Sequence, residues 1–253
     1  MVHNRFCKRI LGVYSSTSNV FSRAEVGRLP LSIFVSKLIA KYWLYIIKLD
    51  PQRIVYQAYI SERQLDECHT LSWVSFIKQL LTKCDLIAEW ENQSVENETS
   101  FLKTIEATLL KDYASTYDNV GQNQYWPNND NINTMPNYLK HAIPVKYRKA
   151  ISRLRLGSNR LEIIRGKYTK TPRENRICKF CSPDEHIGDE LHFLLSCPKH
   201  KSRRDELFKT MIELEPLFAS LQGKEKADIL LNPYNEGISM CVGRFIYNSF
   251  LEY

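Results

Sequence analysis

Four side chains constrain this sequence most tightly: Cys178, Cys181, His192 and Cys197, spaced C-x2-C-x10-H-x4-C. Two thiols separated by two residues can curl around one ion. A tetrahedral Zn²⁺ then needs two further N or S ligands, which His192 and Cys197 supply. Ser182-Pro183-Asp184, directly after the first pair, is turn chemistry that lets both sulfurs face one point. Residues 190–196 read as a short apolar helix beside the second pair. His186 and His200 are rival ligands. His192 is preferred because its four-residue gap to Cys197 can bring both to one face of a helix end. The alternative is a set of buried thiols behaving as small hydrophobes beside a core histidine. A redox pair fits less well, since no βαβ pattern surrounds the CxxC. The expectation is a structural Zn²⁺ in a CCHC knuckle over residues 176–200.

Around the knuckle the pattern is helical almost throughout, so the fold expected is an all-α helical array. Residues 5–13 are amphipathic, and 15–19 are a polar break rich in capping residues. Ser22 and Glu25 have capping-box spacing. Pro30 suits the first turn of an apolar helix over 31–49. Its Lys37, Lys41 and Lys48 fall within about 40° of one another, a narrow charged stripe that fits a core helix better than a membrane span. Asp50-Pro51 reads as the start of a helix reaching Glu67. A helix over 70–86 would place Leu71, Val74, Ile77, Leu80 and Leu81 on one face. Residues 88–100 read as an acidic connection, 101–117 as a further helix, and 202–221, 224–231 and 235–251 as the last three. Residues 118–137 hold Gly121, Pro127, Pro136 and seven Asn, the best candidate boundary. The organisation expected is an N-terminal helical region (1–117), an Asn-rich linker (118–137), a basic helical arm (138–175), the knuckle (176–200) and C-terminal helices (201–253).

The cysteine count is odd at seven, and no long apolar core follows the first residues. Both argue for an intracellular protein, nuclear and/or cytoplasmic, and against secretion or a disulfide framework. The formal charge is only +7, but it is unevenly placed. Residues 140–176 hold twelve Lys or Arg against Glu162 and Glu174, a local net of +10, so the remainder is mildly acidic. Lys146, Arg148, Lys149, Arg153, Arg155, Arg160, Arg165, Lys167, Lys170, Arg176 and Lys179 are the candidate phosphate contacts. Tyr147 and Tyr168 among them offer rings that can stack on bases. Lys199, Lys201, Arg203 and Arg204 extend the same sign past the knuckle. The alternatives are a solvated helix face, an anionic lipid or an acidic protein partner.

Four runs carry a resemblance. They are Leu154-Arg155-Leu156-Gly157-Ser158-Asn159-Arg160-Leu161, then Gly166-Lys167-Tyr168, then Arg176-Ile177-Cys178-x-x-Cys181, then Glu190-Leu191-His192-Phe193-Leu194-Leu195-Ser196-Cys197-Pro198. With Phe6 to Val13, Ser16 to Asn19 and Glu25 to Leu31, they resemble the region that follows the polymerase core in non-LTR (LINE-type) retrotransposon reverse transcriptases. The likeness spans most of residues 5–205. Its most specific parts are the Glu-x-His-Phe-Leu-Leu-x-Cys-Pro run and the block from Gly12 to Pro30. Such polymerases hold two metal ions on a Tyr/Phe-x-Asp-Asp loop, and this chain has no Asp-Asp pair. What the resemblance implies is therefore a non-catalytic module that binds RNA or target DNA, detached from a polymerase core encoded elsewhere. Whether it is an independent protein or a truncated element copy stays open.

Two other function classes fit less well. A protein-interaction scaffold would use the N-terminal helices as a docking surface, with the knuckle as a brace. An enzyme is disfavoured, because no carboxylate cluster, Gly-rich phosphate loop or Ser/His/Asp arrangement stands out.

Overall fold

The computed structural model describes residues 2–68, 71–119, 134–181 and 186–253. The chain divides into two compact units: Met1–Arg28 with Val120–Tyr253, and Leu29–Asn119. This corrects the expected single region 1–117, whose first 28 residues belong with the C-terminal part. Most of the Asn-rich linker lies outside the described residues. Among those described, the structure is helices and one isolated antiparallel bridge, Ile177 to Ile187. The fold is all-α.

The first unit opens with α1 (Val2–Leu11) and α2 (Asn19–Glu25). α1 is amphipathic and buries Cys7 and Leu11. Ser18, from the polar break, caps α2 by accepting from the Phe21 amide. The Ser22/Glu25 capping box does not form. With Ser18 as cap, both residues fall inside the helix and are buried, and the Ser22 hydroxyl donates to the Ser18 carbonyl at 2.7 Å.

The second unit holds α3 (Leu31–Ile46), α4 (Ile54–Glu67), α5 (Trp73–Lys83), α6 (Ile87–Asn92) and α7 (Glu98–Asn119). Its core is built on Trp43, which is fully buried and faces Trp90 and Phe101 at 6.0 and 5.7 Å between ring centroids. The indole N–H donates to the Tyr59 hydroxyl at 2.9 Å, and that hydroxyl donates to Gln93 at 2.5 Å, so the polar ends of two core aromatics are satisfied. Val74, Ile77, Leu80 and Leu81 share the buried face of α5. Leu71 does not join them: Ser72 caps the helix, which leaves Leu71 outside it and exposed. α6 falls in the stretch read as a connection. α3 is not a core helix on all sides. It buries Ile33, Ala40, Trp43, Leu44 and Ile46 but exposes Phe34, Leu38, Tyr42 and Tyr45. Lys37 of α3 pairs with Glu106 at 2.7 Å, and Lys48, just past the helix, pairs with Glu98. No described helix is long and apolar enough to cross a membrane.

The first unit resumes with α8 (Asn137–Lys140), α9 (Val145–Arg155), α10 (Glu162–Tyr168), α11 (Lys201–Leu214), α12 (Gly223–Leu231) and α13 (Glu236–Phe250). α13 packs along α9 and α11, and Ala150, Ile151, Leu154, Val242, Phe245 and Ile246 belong to one core cluster. The approach is close. A Cβ on Gly243 would stand 2.6 Å from the Tyr147 Cβ, so only glycine fits. The expected basic arm is therefore a core helix with one charged face. Asn235 caps α13 by accepting from the Ile238 amide at 2.8 Å. Asn235→Ala should cost about 1 kcal/mol, read as a lower urea midpoint; an unchanged midpoint would remove the cap from the account.

Beneath α9 lies a buried polar network. Arg155 and Glu25 form an ion pair at 2.6 and 3.1 Å, with side chains 1% and 0% exposed. Arg155 also donates to the Leu231 carbonyl at 2.5 Å and to Asn232. Tyr138 donates its hydroxyl to Glu25, with Ser152 at 2.9 Å. Burial, and next the Glu25 charge, holds the Tyr138 phenol well above its usual pKa, so it stays a donor. The network ties α2, α8, α9 and the end of α12 together, which is why Met1–Arg28 belongs to this unit.

Candidate metal centre and basic face

The cluster is assembled from short local structures. At the Ile177–Ile187 bridge, the Cys178 amide donates to the His186 carbonyl at 2.9 Å and the Gly188 amide to the Arg176 carbonyl at 2.8 Å. Gly188 lies so close to the Cys178 backbone that an added Cβ would meet its Cα at 3.1 Å. The Cys181 amide donates to the Cys178 carbonyl, turning both thiols to one side.

His192 and Cys197 are brought together by a different device. Residues His192–Ser196 form a π-helical turn, closed by the Cys197 amide on the His192 carbonyl at 2.7 Å. In an α-helix, residues five apart point about 140° from each other. The wider i→i+5 closure brings them onto one side. The Asp189 carboxylate accepts from the His192 amide at 2.9 Å and fixes the start of the turn.

The four ligand atoms lie within 4.8 Å of one another. Cys178 Sγ is 3.9 Å from Cys197 Sγ, and Cys181 Sγ is 3.2 Å from His192 Nε2. Zn–S bonds of about 2.3 Å in a tetrahedron would place two sulfurs about 3.8 Å apart. These residues can hold a metal ion. The other imidazole nitrogen, Nδ1, is 3.2 Å from the Ser196 hydroxyl, which orients the ring with Nε2 inward. Burial, and then nearby His186, lowers the His192 pKa and favours the neutral ring a ligand needs. Burial first, and then the neighbouring sulfurs, pushes the Cys181 thiol up to about 12. Cys197 is raised too, chiefly by burial. Sulfurs this crowded do not ionise side by side without a cation; a bound divalent ion inverts that preference.

The rival histidines lie outside the quartet. His186 is exposed and stacks on the His192 ring at 5.2 Å. His200 is buried among Phe193, Tyr253 and Phe180 at 5.2, 5.8 and 6.1 Å, and neither ring nitrogen has a hydrogen-bond partner among the described residues. Burial lowers its pKa to about 4. Glu190, not singled out from the sequence, is buried with Oε1 unsatisfied among the described residues, and burial lifts its pKa to about 7. All seven cysteines are free.

The candidate phosphate contacts separate into two sets. Lys146, Arg153, Arg160, Arg165, Lys167, Lys170 and Lys179 are exposed, while Arg148 and Lys149 are half-buried. Arg165 pairs with Glu162 at 2.9 Å, and Lys179 donates to the Tyr253 carbonyl at 3.1 Å. Two residues are corrected. Arg155 is enclosed in its ion pair with Glu25 and cannot reach a phosphate. Arg176 lies half-buried against Gly166, with its guanidinium on the Thr171 and Ile163 carbonyls at 2.9 and 3.0 Å. Beyond the knuckle, Arg204 is buried on the Cys197 carbonyl, while Lys199 and Arg203 pair with Glu252 and Lys201 with Asp205. Residues 12–16, at the start of the polar break, add contacts the charge count passed over. The Tyr14 amide donates to Ser158 Oγ at 2.8 Å, Ser16 meets the Tyr168 hydroxyl at 3.1 Å, and the Gly12 carbonyl accepts from Arg153 at 2.6 Å. No family model, curated protein or solved structure matches the chain.

Proposed function

We propose that this chain is a non-catalytic nucleic-acid-binding module braced by Zn²⁺, with a role like that of the region after the polymerase core in LINE-type reverse transcriptases. Three thiolates and one imidazole suit Zn²⁺ or a comparably soft ion, and four protein ligands close the site to water, so the ion is structural. It would cross-link the 176–190 segment to the turn that carries His192. The partner would be RNA or DNA, met mainly through phosphate, with a polymerase core encoded elsewhere as a further partner.

One observation carries the reading. Lys146, Lys149 and Arg153 lie on one face of α9, Arg160 follows, and none of the four pairs with a carboxylate among the described residues. Cations without counter-charges on a rigid core helix are a phosphate-binding surface. Binding would be steeply salt-dependent and weakly sequence-specific. Arg153→Glu with Arg160→Glu should weaken RNA or DNA binding several-fold and flatten the slope of log affinity against log salt by about 1 to 2. Equal gel shifts for variant and parent would remove this face from the interface.

A second reading, a protein-docking scaffold, is favoured by the exposed Phe34, Leu38, Tyr42 and Tyr45 of α3. Binding to a protein partner that is indifferent to salt, with no nucleic-acid binding, would select it.

A further inference from the structure

A cleft of about 480 Å³ opens on the basic face, between α9, the 158–160 loop, Tyr14 and the end of α13. Its lining combines the cations Lys146, Lys149, Arg153 and Arg160 with the rings of Tyr14 and Tyr247, and among the described residues no carboxylate lines it. Two of the cations are held in place. Arg153 spends Nε on the Gly12 carbonyl at 2.6 Å, which orients the guanidinium fork. The Lys149 stem runs against Gly12, where an added Cβ would meet Cδ at 2.6 Å. The Tyr14 backbone is fixed to Ser158 at 2.8 Å, while the residue is 43% exposed.

Resting on the nucleic-acid reading above, we propose that this cleft takes one unpaired nucleotide of a single strand. Its phosphate lies on the cation set, and its base stacks on Tyr14 against the Tyr247 wall. The volume suits a ligand of that size, and an Arg fork beside lysines suits a phosphate. The base is not read by its edge. Asn159, the lining amide, is buried, with its oxygen on the Leu161 amide at 3.0 Å and one N–H on the Arg153 carbonyl at 3.5 Å. Recognition therefore goes through the π face and tolerates any base. A base inside a duplex has both faces covered, so single strands are preferred.

The test is fluorescence anisotropy on the full chain with three probes of equal length: a single-stranded oligonucleotide, its duplex, and an abasic strand that keeps every phosphate. The single strand should bind tighter than the duplex. Removing the bases should cost about tenfold. Tyr14→Ala should reproduce that loss on the normal strand and change nothing on the abasic one, while Tyr14→Phe keeps full affinity. Equal affinity for the normal and abasic strands overturns the cleft assignment and leaves general phosphate binding standing. The probe comparison on unaltered protein settles this even if a variant misfolds. No binding of any probe overturns both readings.

Discussion

Cys178→Ser with Cys181→Ser should strip the chain of its metal and release residues 176–190 from the fold. Structural Zn²⁺ contributes an apparent 10–16 kcal/mol, roughly, to folding of small sites at neutral pH, whereas each hydrogen bond of the segment adds a net of about 1 kcal/mol. Among the described residues these bonds are the amides of Cys178 and Gly188 on the His186 and Arg176 carbonyls, the Ile163 amide on the Gly188 carbonyl at 3.0 Å, the Arg176 guanidinium on the Thr171 and Ile163 carbonyls, and Lys179 on the Tyr253 carbonyl. The following turn has a second anchor, because Phe193 and Leu194 lie fully buried in the main core. Hydrogen exchange should therefore show protection lost at Cys178 and Gly188 and retained in α9 and α13. Chelation of the parent protein should give the same map. Retained protection at Gly188 in the metal-free chain would mean that the bridge stands without the ion, and the brace would not be one.

The second large effect is expected far from the cysteines. Arg155→Ala should destabilise the first unit by about 3–5 kcal/mol, the usual cost of leaving one charge of a buried pair alone. Against a total stability of about 5–15 kcal/mol, that brings the unit close to unfolding. Glu25, with its side chain 0% exposed, would keep only the Tyr138 hydroxyl from the present network, and the Leu231 carbonyl would lose its donor. Removing both charges with Glu25→Leu and Arg155→Met should cost less than the single change, so a double-mutant cycle in urea should show strong coupling. A loss below about 1 kcal/mol for Arg155→Ala would contradict the network's role. Because Arg155 is sealed in, destabilised but folded protein should bind nucleic acid as the parent does.

How far could these features be read in advance? The ligand spacing was legible because metal coordination is local chemistry, and all four expected ligands converge. The device that aligns His192 with Cys197 was not, since an i→i+5 closure leaves no mark in an apolar run. The longer helices were legible from periodicity, with ends displaced where caps competed, while the short α6 was hidden in an acidic stretch. Ser18 took the role expected of Ser22, and Ser72 ended α5 short of Leu71. Arg155 was misjudged by counting charge without placing it. On a helical wheel it lies about 40° from Ile151, on the buried side, whereas Lys146, Lys149 and Arg153 share a sector about 60° wide on the other. The unit boundary after Arg28 reads in sequence as an ordinary turn before a helix, and the long-range pairing of Glu25 with Arg155 is what assigns the first residues. Tyr14 and Tyr247 meet in one cleft from opposite ends of the sequence, which no local pattern announces.

X-ray absorption at the zinc edge on protein purified without added metal tests the central claim most directly. The account predicts one zinc per chain in a four-coordinate shell of three sulfurs at about 2.3 Å and one nitrogen at about 2.0 Å. A chain that purifies folded and free of metal, or a shell rich in oxygen, would contradict it.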